Sequence, residues 1–333
     1  MNLSIFFRVF KNNLKINLKQ KCYNFSSEAK KTDLISIQNN SVLNSCFDDL
    51  SELAPNHPVS FNLAAYVNNS ELLQNLVHLN VNLAKIEKKP FIVEKILKLN
   101  FERDVKKHIF FLKNYVDAEC IGEFITKNPL ILCEPIEDLE VRINYLQSKY
   151  FKLEQIKHII VKNPFWLMFS TIRIDKRLGF FQSSYNLTGK EVREVATKQP
   201  RLITYNLHHI TTNTFVIKEE MGFTEEQMKD IIKNKPKLLM LNQKSLLERF
   251  NYIHNIIKIP HEMILKNLNI LEYRNFIVKQ RHLFLKKLGR AQYNPTQANY
   301  VPITALCVDT DVEFCKKYAK SNVDDFNTFL KTL

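Results

Sequence analysis

Apolar residues return at fixed offsets before a recurring proline. Counted back from Pro129, Pro164, Pro200 and Pro236, positions −8, −5 and −4 hold Ile121, Phe124 and Ile125; Ile156, Ile159 and Ile160; Val192, Val195 and Ala196; and Met228, Ile231 and Ile232. This i, i+3, i+4 spacing is one face of an α-helix. The residue before a proline avoids the α region, so each helix is expected to run out there. Thr188-x-x-Glu191 and Thr224-x-x-Gln227 read as capping boxes that start two of these helices. Positions +2 and +3 are apolar in every copy, which predicts a short 3₁₀ turn tucked under the core. A second helix follows, with apolar +10, +14 and +17 at Leu139, Ile143 and Leu146; Ile174, Leu178 and Phe181; and Leu246, Phe250 and Ile253. The copy at Ile210, Thr214 and Ile217 is looser.

An earlier phrase, Lys88-Lys89-Pro90-Phe91-Ile92-Val93, extends the series toward the N-terminus, and the prolines stand about 36 residues apart. A period of that size marks a solenoid, in which each unit buries its apolar face only against its neighbours. The predicted fold is all-α, a superhelical solenoid of proline-punctuated helix, helix and 3₁₀-turn repeats, without strands. After Pro236 the pattern continues at Ile264, Leu268, Ile270 and Leu271 without a proline at the turn, which leaves the geometry of the last units open. The repeats are placed at 61–290. Residues 291–333, with amphipathic helices from Val308 on, are read as the end cap an open solenoid requires.

The N-terminus changes the picture differently. Residues 1–27 carry Arg8, Lys11, Lys15, Lys19 and Lys21 and no acid, with Phe6, Val9, Phe10 and Leu14 on one helical face. That composition suits a mitochondrial transit peptide; a basic surface helix is the plain alternative. Residues 28–60 read as a polar linker with a short helix around Asp48 to Leu53.

The 333 residues hold 48 Lys plus Arg against 34 Asp plus Glu, a formal charge of +14. The excess favours a polyanionic partner. Five glycines leave little room for phosphate-cradling loops or tight hairpins. Six cysteines show no C-x-x-C pair, and no His stands at zinc-ligand spacing, so neither a metal nor a cofactor is expected. No H-E-x-x-H, G-x-x-x-x-G-K-[ST] or G-x-S-x-G occurs, and His261-Glu262 lacks the second His. The reading is a binding protein and not an enzyme. No run of 18 apolar residues is present, so no membrane span is expected.

Candidate contacts follow the repeat. Position −2 holds Lys88, Lys127, Lys162 and Lys198, and in the next copy Asn234 flanked by Lys233 and Lys235. One cation per unit suits a row along a phosphate backbone, and the same lysines complement a helix C-terminus. Position +13 holds Arg142, Arg177 and Arg249, with Asn213 breaking the series. There an arginine can lay its stem on the core or present its head to nucleic acid. Position −7 gives Lys157, Arg193 and Lys229, a second row or a solvated face. Arg201 and Lys237 follow their prolines directly. The densest basic stretch of the C-terminal half is Lys279, Arg281, Lys286, Lys287 and Arg290, which suits an anion or, through Leu283, Phe284 and Leu285, a partner helix. Trp166, at +2, is assigned to the core.

Proline-punctuated units of about 35 residues behind a transit peptide resemble the mitochondrial transcription termination factor (mTERF) family. The closing phrase Arg281-His282-Leu283-Phe284-Leu285 with Leu288-Gly289-Arg290-Ala291-Gln292-Tyr293, and upstream Phe61-Asn62-Leu63 and Lys85-Ile86-Glu87-Lys88, carry it further, so that the likeness spans about 61–333. It implies a half-doughnut whose basic concave face binds mitochondrial double-stranded DNA, large-subunit ribosomal RNA, or both, in the matrix. Roles in repressing mitochondrial transcription at the promoter region and in assembling the large mitoribosomal subunit, with assembly proteins as further partners, are implied with it. The chain is expected to act as a monomer. The family supplies no catalytic residue. The alternative in another class is a helical-repeat scaffold that docks acidic mitochondrial proteins.

Overall fold

The computed structural model describes residues 62–333. The basic segment 1–27, the linker 28–60 and the helix expected near Asp48 lie outside the described residues. Those described form α-helices joined by short 3₁₀ and π segments, with no strand among them. Numbering the helices of six residues or more, the chain runs α1 (Glu71–His78), α2 (Pro90–Leu97), α3 (Lys106–Lys113), α4 (Ile121–Lys127), α5 (Ile136–Ser148), α6 (Leu153–Lys162) and α7 (Thr171–Ser184). It continues with α8 (Gly189–Lys198), α9 (Leu207–Phe215), α10 (Glu225–Asn234), α11 (Gln243–Asn251), α12 (His261–Lys266), α13 (Asn275–Lys287) and α14 (Val323–Leu330).

The first helix of each repeat ends at one bent residue. Asn128, Asn163, Gln199 and Lys235 sit at φ/ψ of −133/74°, −138/80°, −136/75° and −138/62°. Each lies just before a proline, whose ring excludes the α conformation there. The backbone N–H still donates to the carbonyl four residues back, so the helix closes its last turn before it bends. The +2 and +3 residues that follow are buried in these four copies: Ile131 and Leu132, Trp166 and Leu167, Leu202 and Ile203, Leu238 and Leu239. The turn is 3₁₀ at Pro129–Cys133, Trp166–Met168 and Pro236–Met240, and one short α-turn at Pro200–Thr204. Pro90 departs from the pattern: it opens the eight-residue α2 as its first residue, where a missing N–H costs nothing.

The fifth turn forms without proline. Asn267 adopts −132/46°, and Ile270 and Leu271 are buried in the places of the earlier +2 and +3 residues. Leu268 therefore stands where proline stands elsewhere. Burial of the apolar pair holds a bend that the ring only favours.

First helices pack side by side, α6 on α8 and α8 on α10, while second helices pack in their own series, α3 on α5, α5 on α7 and α11 on α13. The turn helices stack between consecutive repeats. The stripes read from the sequence at −8, −5 and −4 and at +10, +14 and +17 are buried, except Thr214, whose Oγ1 lies 2.6 Å from the Tyr185 hydroxyl. Both capping boxes are present. Two second helices widen into π segments, Val216–Glu220 and Tyr252–Ile256. At the end of the array Phe284 of α13 packs against Phe314, Phe326 and Phe329.

Gly122 permits the tightest approach. A Cβ there would lie 1.8 Å from the Leu79 carbonyl oxygen and 2.8 Å from the Asn80 carbonyl carbon, both backbone atoms that cannot swing aside. Gly122→Ala gains about 1 kcal/mol of helix propensity but forces the chain around α4 apart, at about 3 kcal/mol or more. The clash wins, and urea unfolding should report a net loss of about 2 kcal/mol.

Candidate nucleic-acid interface

Position +13 of each second helix faces the next repeat. Arg177 Nη1 donates to the carbonyl of Ile203 at 3.0 Å and also to that of Tyr205. Arg249 Nη1 reaches Leu271 O at 2.7 Å, and Arg142 Nη1 reaches Leu167 O. Asn213, which interrupts the series by charge, continues it by geometry: its Nδ2 donates to Leu239 O at 3.0 Å and Leu241 O at 2.7 Å. Counted from Leu268, Arg281 is also a +13 residue, and its Nη1 donates to Leu306 O at 3.2 Å and Val308 O at 2.7 Å. Buried His108 places Nε2 2.7 Å from Glu134 O in the same way one repeat earlier.

The acceptors are carbonyls at the end of a short helix, which have no partner within it. One side chain per repeat satisfies them and fastens the unit to its neighbour. Burial pulls the Arg177 and Arg249 guanidiniums below their ordinary range, since a desolvated cation is disfavoured. Arg142 pairs with Glu134 at 2.7 Å and Arg281 with Asp311 at 2.8 Å. The structure thus places Arg142, Arg177, Arg249 and Arg281 in the joints between repeats. One guanidinium nitrogen or more of each is spent on a carbonyl of the next repeat, a packing role for the +13 position.

The −2 lysines are exposed. Lys127, Lys162 and Lys198 occupy the last turns of α4, α6 and α8, and the Leu268 register adds Lys266 at the end of α12. One turn earlier stand Glu123, His158, Glu194 and Glu262. The charge is therefore partly balanced, most visibly where Lys127 meets Glu123 at 2.7 Å and holds that carboxyl below its usual range by its hydrogen bond and its charge. Lys198 Nζ donates to the Lys233 carbonyl at 3.0 Å, which ties the ends of α8 and α10 together. Lys162, beside His158, has no ion pair among the described residues.

The remaining candidates divide. Arg201 is exposed beside Pro200. Lys235 and Lys237 line a groove of about 1030 Å³ with Lys266, Asp230, Glu262 and Glu272, and Lys237 pairs with Glu272 at 3.1 Å. Arg290 follows the positive-φ Gly289 at the end of α13, with its side chain half-buried. Lys233 is held in a joint, 2.9 Å from Glu191, which also accepts the Thr188 backbone N–H and meets Lys229 at 3.4 Å. Lys229, read at −7 as part of a second row, is thereby a joint residue as well.

That joint is pH-sensitive. The hydrogen bond from Lys233, then that of the Thr188 N–H, pulls the Glu191 carboxyl from 4.5 down to about 2. A carboxyl lowered on folding stabilises the fold above its unfolded pKa, and the contribution fades as pH falls through the folded one. Glu191→Gln keeps the capping geometry and removes the charge. Its melting temperature should lie below the parent's at neutral pH, and the gap should close between about pH 4.5 and about pH 2.

Three features escaped the sequence pattern. The carboxamides of Asn128 and Asn163, both buried, donate to the carbonyls of Pro164 at 2.9 Å and Pro200 at 3.3 Å, the prolines of the following repeats. Recurrence of Asn before the proline was a readable signal. Lys266 and the joint role of Arg281 were hidden because the count relied on a proline that the fifth turn lacks.

A family model described as mTERF matches residues 48–314. The chain is similar to mitochondrial transcription termination factor 3 of Drosophila melanogaster, with 44% identity over 277 residues covering 83% of this chain and 78% of that protein. The factor of the same name in Rattus norvegicus is 41% identical over 304 residues, covering 86% and 74%. Mitochondrial transcription termination factor 4 of Mus musculus is more distant, at 26% over 177 residues, or 50% and 49%.

Proposed function

The chain belongs to the mTERF family, and from that premise we propose that it is a mitochondrial regulator that acts by binding nucleic acid, largely through phosphates. The observation that carries this reading is the exposed cation at one place in three successive repeats, Lys127, Lys162 and Lys198, which returns at Lys266 after the Pro236 copy, where Asn234 takes that place beside Lys235. Neighbouring helices pack about 8–10 Å apart. A nucleic-acid strand rises about 3.4 Å per residue, so such a row offers about one cation for every three nucleotides. The arginines at +13 contribute indirectly, by holding the repeats that carry the row.

The relatives are named as mitochondrial transcription termination factors, which supports a mitochondrial site of action and a role in handling the genome or its transcripts. The finer reading is matrix localisation, repression of transcription at the promoter region, and assembly of the large mitoribosomal subunit on its ribosomal RNA. Crosslinking the protein in intact mitochondria and sequencing the recovered RNA and DNA tests it. Enriched large-subunit ribosomal RNA assigns ribosome assembly as the main activity, and enriched promoter-region DNA assigns transcriptional control. Recovery of neither overturns the nucleic-acid reading in favour of a protein scaffold, a reading favoured by the acids that stand one turn before most −2 lysines.

A further inference from the structure

The layer of second helices carries a surface that the reading above does not use. Between the π segment that extends α11 and α13 lies a cavity of about 440 Å³, lined by Tyr252, Ile256, His282 and Leu283 together with Lys279 and Lys286. Ile256 is 63% exposed and Leu283 37%. Phe276, 54% exposed, stands two turns before Leu283 on the same face of α13. Three large apolar side chains facing water on adjoining elements form a patch of the kind that marks an interaction site.

No acidic side chain lines it. From Tyr273 to Val308 the chain has no Asp or Glu, and it has none from Arg249 to His261. Lys279 lies over the Tyr252 ring at 5.2 Å, and Lys258, Lys279 and Lys286 have no acidic partner among the described residues. The −2 row differs, because there Glu123, Glu194 and Glu262 sit one turn from the lysines.

We propose that this groove between α11 and α13 docks an acidic amphipathic helix of a partner protein. Apolar residues at i, i+3 or i+4, and i+7 of such a helix fill the space over Ile256 and Leu283 and extend toward Phe276, while flanking carboxylates meet Lys279, Lys286 and Lys258. A phosphate backbone would answer the lysines but leave Ile256, Leu283 and Phe276 facing water, which is why a protein fits better than a nucleic acid. The inference does not rest on the nucleic-acid reading, since the groove lies on second helices and the −2 row on the ends of first helices.

A photo-reactive benzophenone residue at position 283 of the full chain, activated in intact mitochondria, tests it. The expected product is a crosslink to one protein whose captured segment combines Asp or Glu with apolar residues at helical spacing. Lys279→Glu with Lys286→Glu should reduce that product by about tenfold or more, while the melting temperature and the affinity for duplex DNA and structured RNA stay unchanged. Ile256→Ser, a substitution at an exposed position, should also weaken the crosslink. Crosslinks to nucleic acid, no crosslinked protein, a captured segment that is not acidic, or a product indifferent to these substitutions would overturn the proposal. Loss of DNA or RNA affinity in the charge-reversed chain would assign the face to nucleic acid instead.

Discussion

Replacing Arg177 by methionine should remove about 3 kcal/mol of stability, a large part of the 5–15 kcal/mol typical of a folded domain. Methionine keeps much of the apolar stem but leaves the Ile203 and Tyr205 carbonyls without their donor. Each unpartnered buried carbonyl costs about 1–3 kcal/mol. Relief from burying a cation offsets part of this, which sets the expectation in the lower half of the summed range. The form of the transition is as informative as its midpoint. In a linear array each repeat is stabilised by its neighbours, so a weakened joint between α7 and the Pro200–Thr204 turn should split urea unfolding into two steps of smaller slope. Arg173, exposed on the same helix with its guanidinium 4.3 Å above the Phe169 ring, is the control. Arg173→Met should cost about 1 kcal/mol or less and leave a single transition.

Reversing charge at Lys127, Lys162 and Lys198 together should reduce nucleic-acid binding most. Each lysine that neutralises one phosphate adds about 0.9 to the slope of log affinity against log salt on duplex DNA, so losing three makes it shallower by about 2.7. Glutamate in their place also repels the strand, and affinity at low salt should fall by about a hundredfold or more. The fold should tolerate the change, because all three side chains are exposed and the one ion pair among them, Lys127 with Glu123, lies on the surface. If the chain is instead a protein scaffold, DNA and RNA binding will be negligible before and after.

How much of this could be read in advance depends on what each residue answers to. The helical faces were legible because the −8, −5, −4 and +10, +14, +17 positions face one core at a fixed period. The fifth repeat was only half legible, since Leu268 gives the bend no local signature and Ile270 and Leu271 supply it through burial. The joints were the least legible part. A recurring arginine at +13 has the same sequence pattern whether it points at water, phosphate or a neighbouring carbonyl, and only coordinates distinguish these. Asn213 shows the consequence: a break in the charge series that is no break in the contact, because the turn carbonyls require an N–H donor and not a cation. Among the candidate contacts, the −2 lysines are exposed cations, while Lys233 goes to Glu191 across a joint.

The central claim is that successive repeats offer their cations to a phosphate backbone. Its most direct test is the affinity of the full chain for a labelled DNA duplex and a structured RNA, titrated from 50 to 200 mM salt. With about six to ten phosphates contacted, affinity should fall on the order of 10³ to 10⁵ across that range. A flat response for both ligands would contradict the claim.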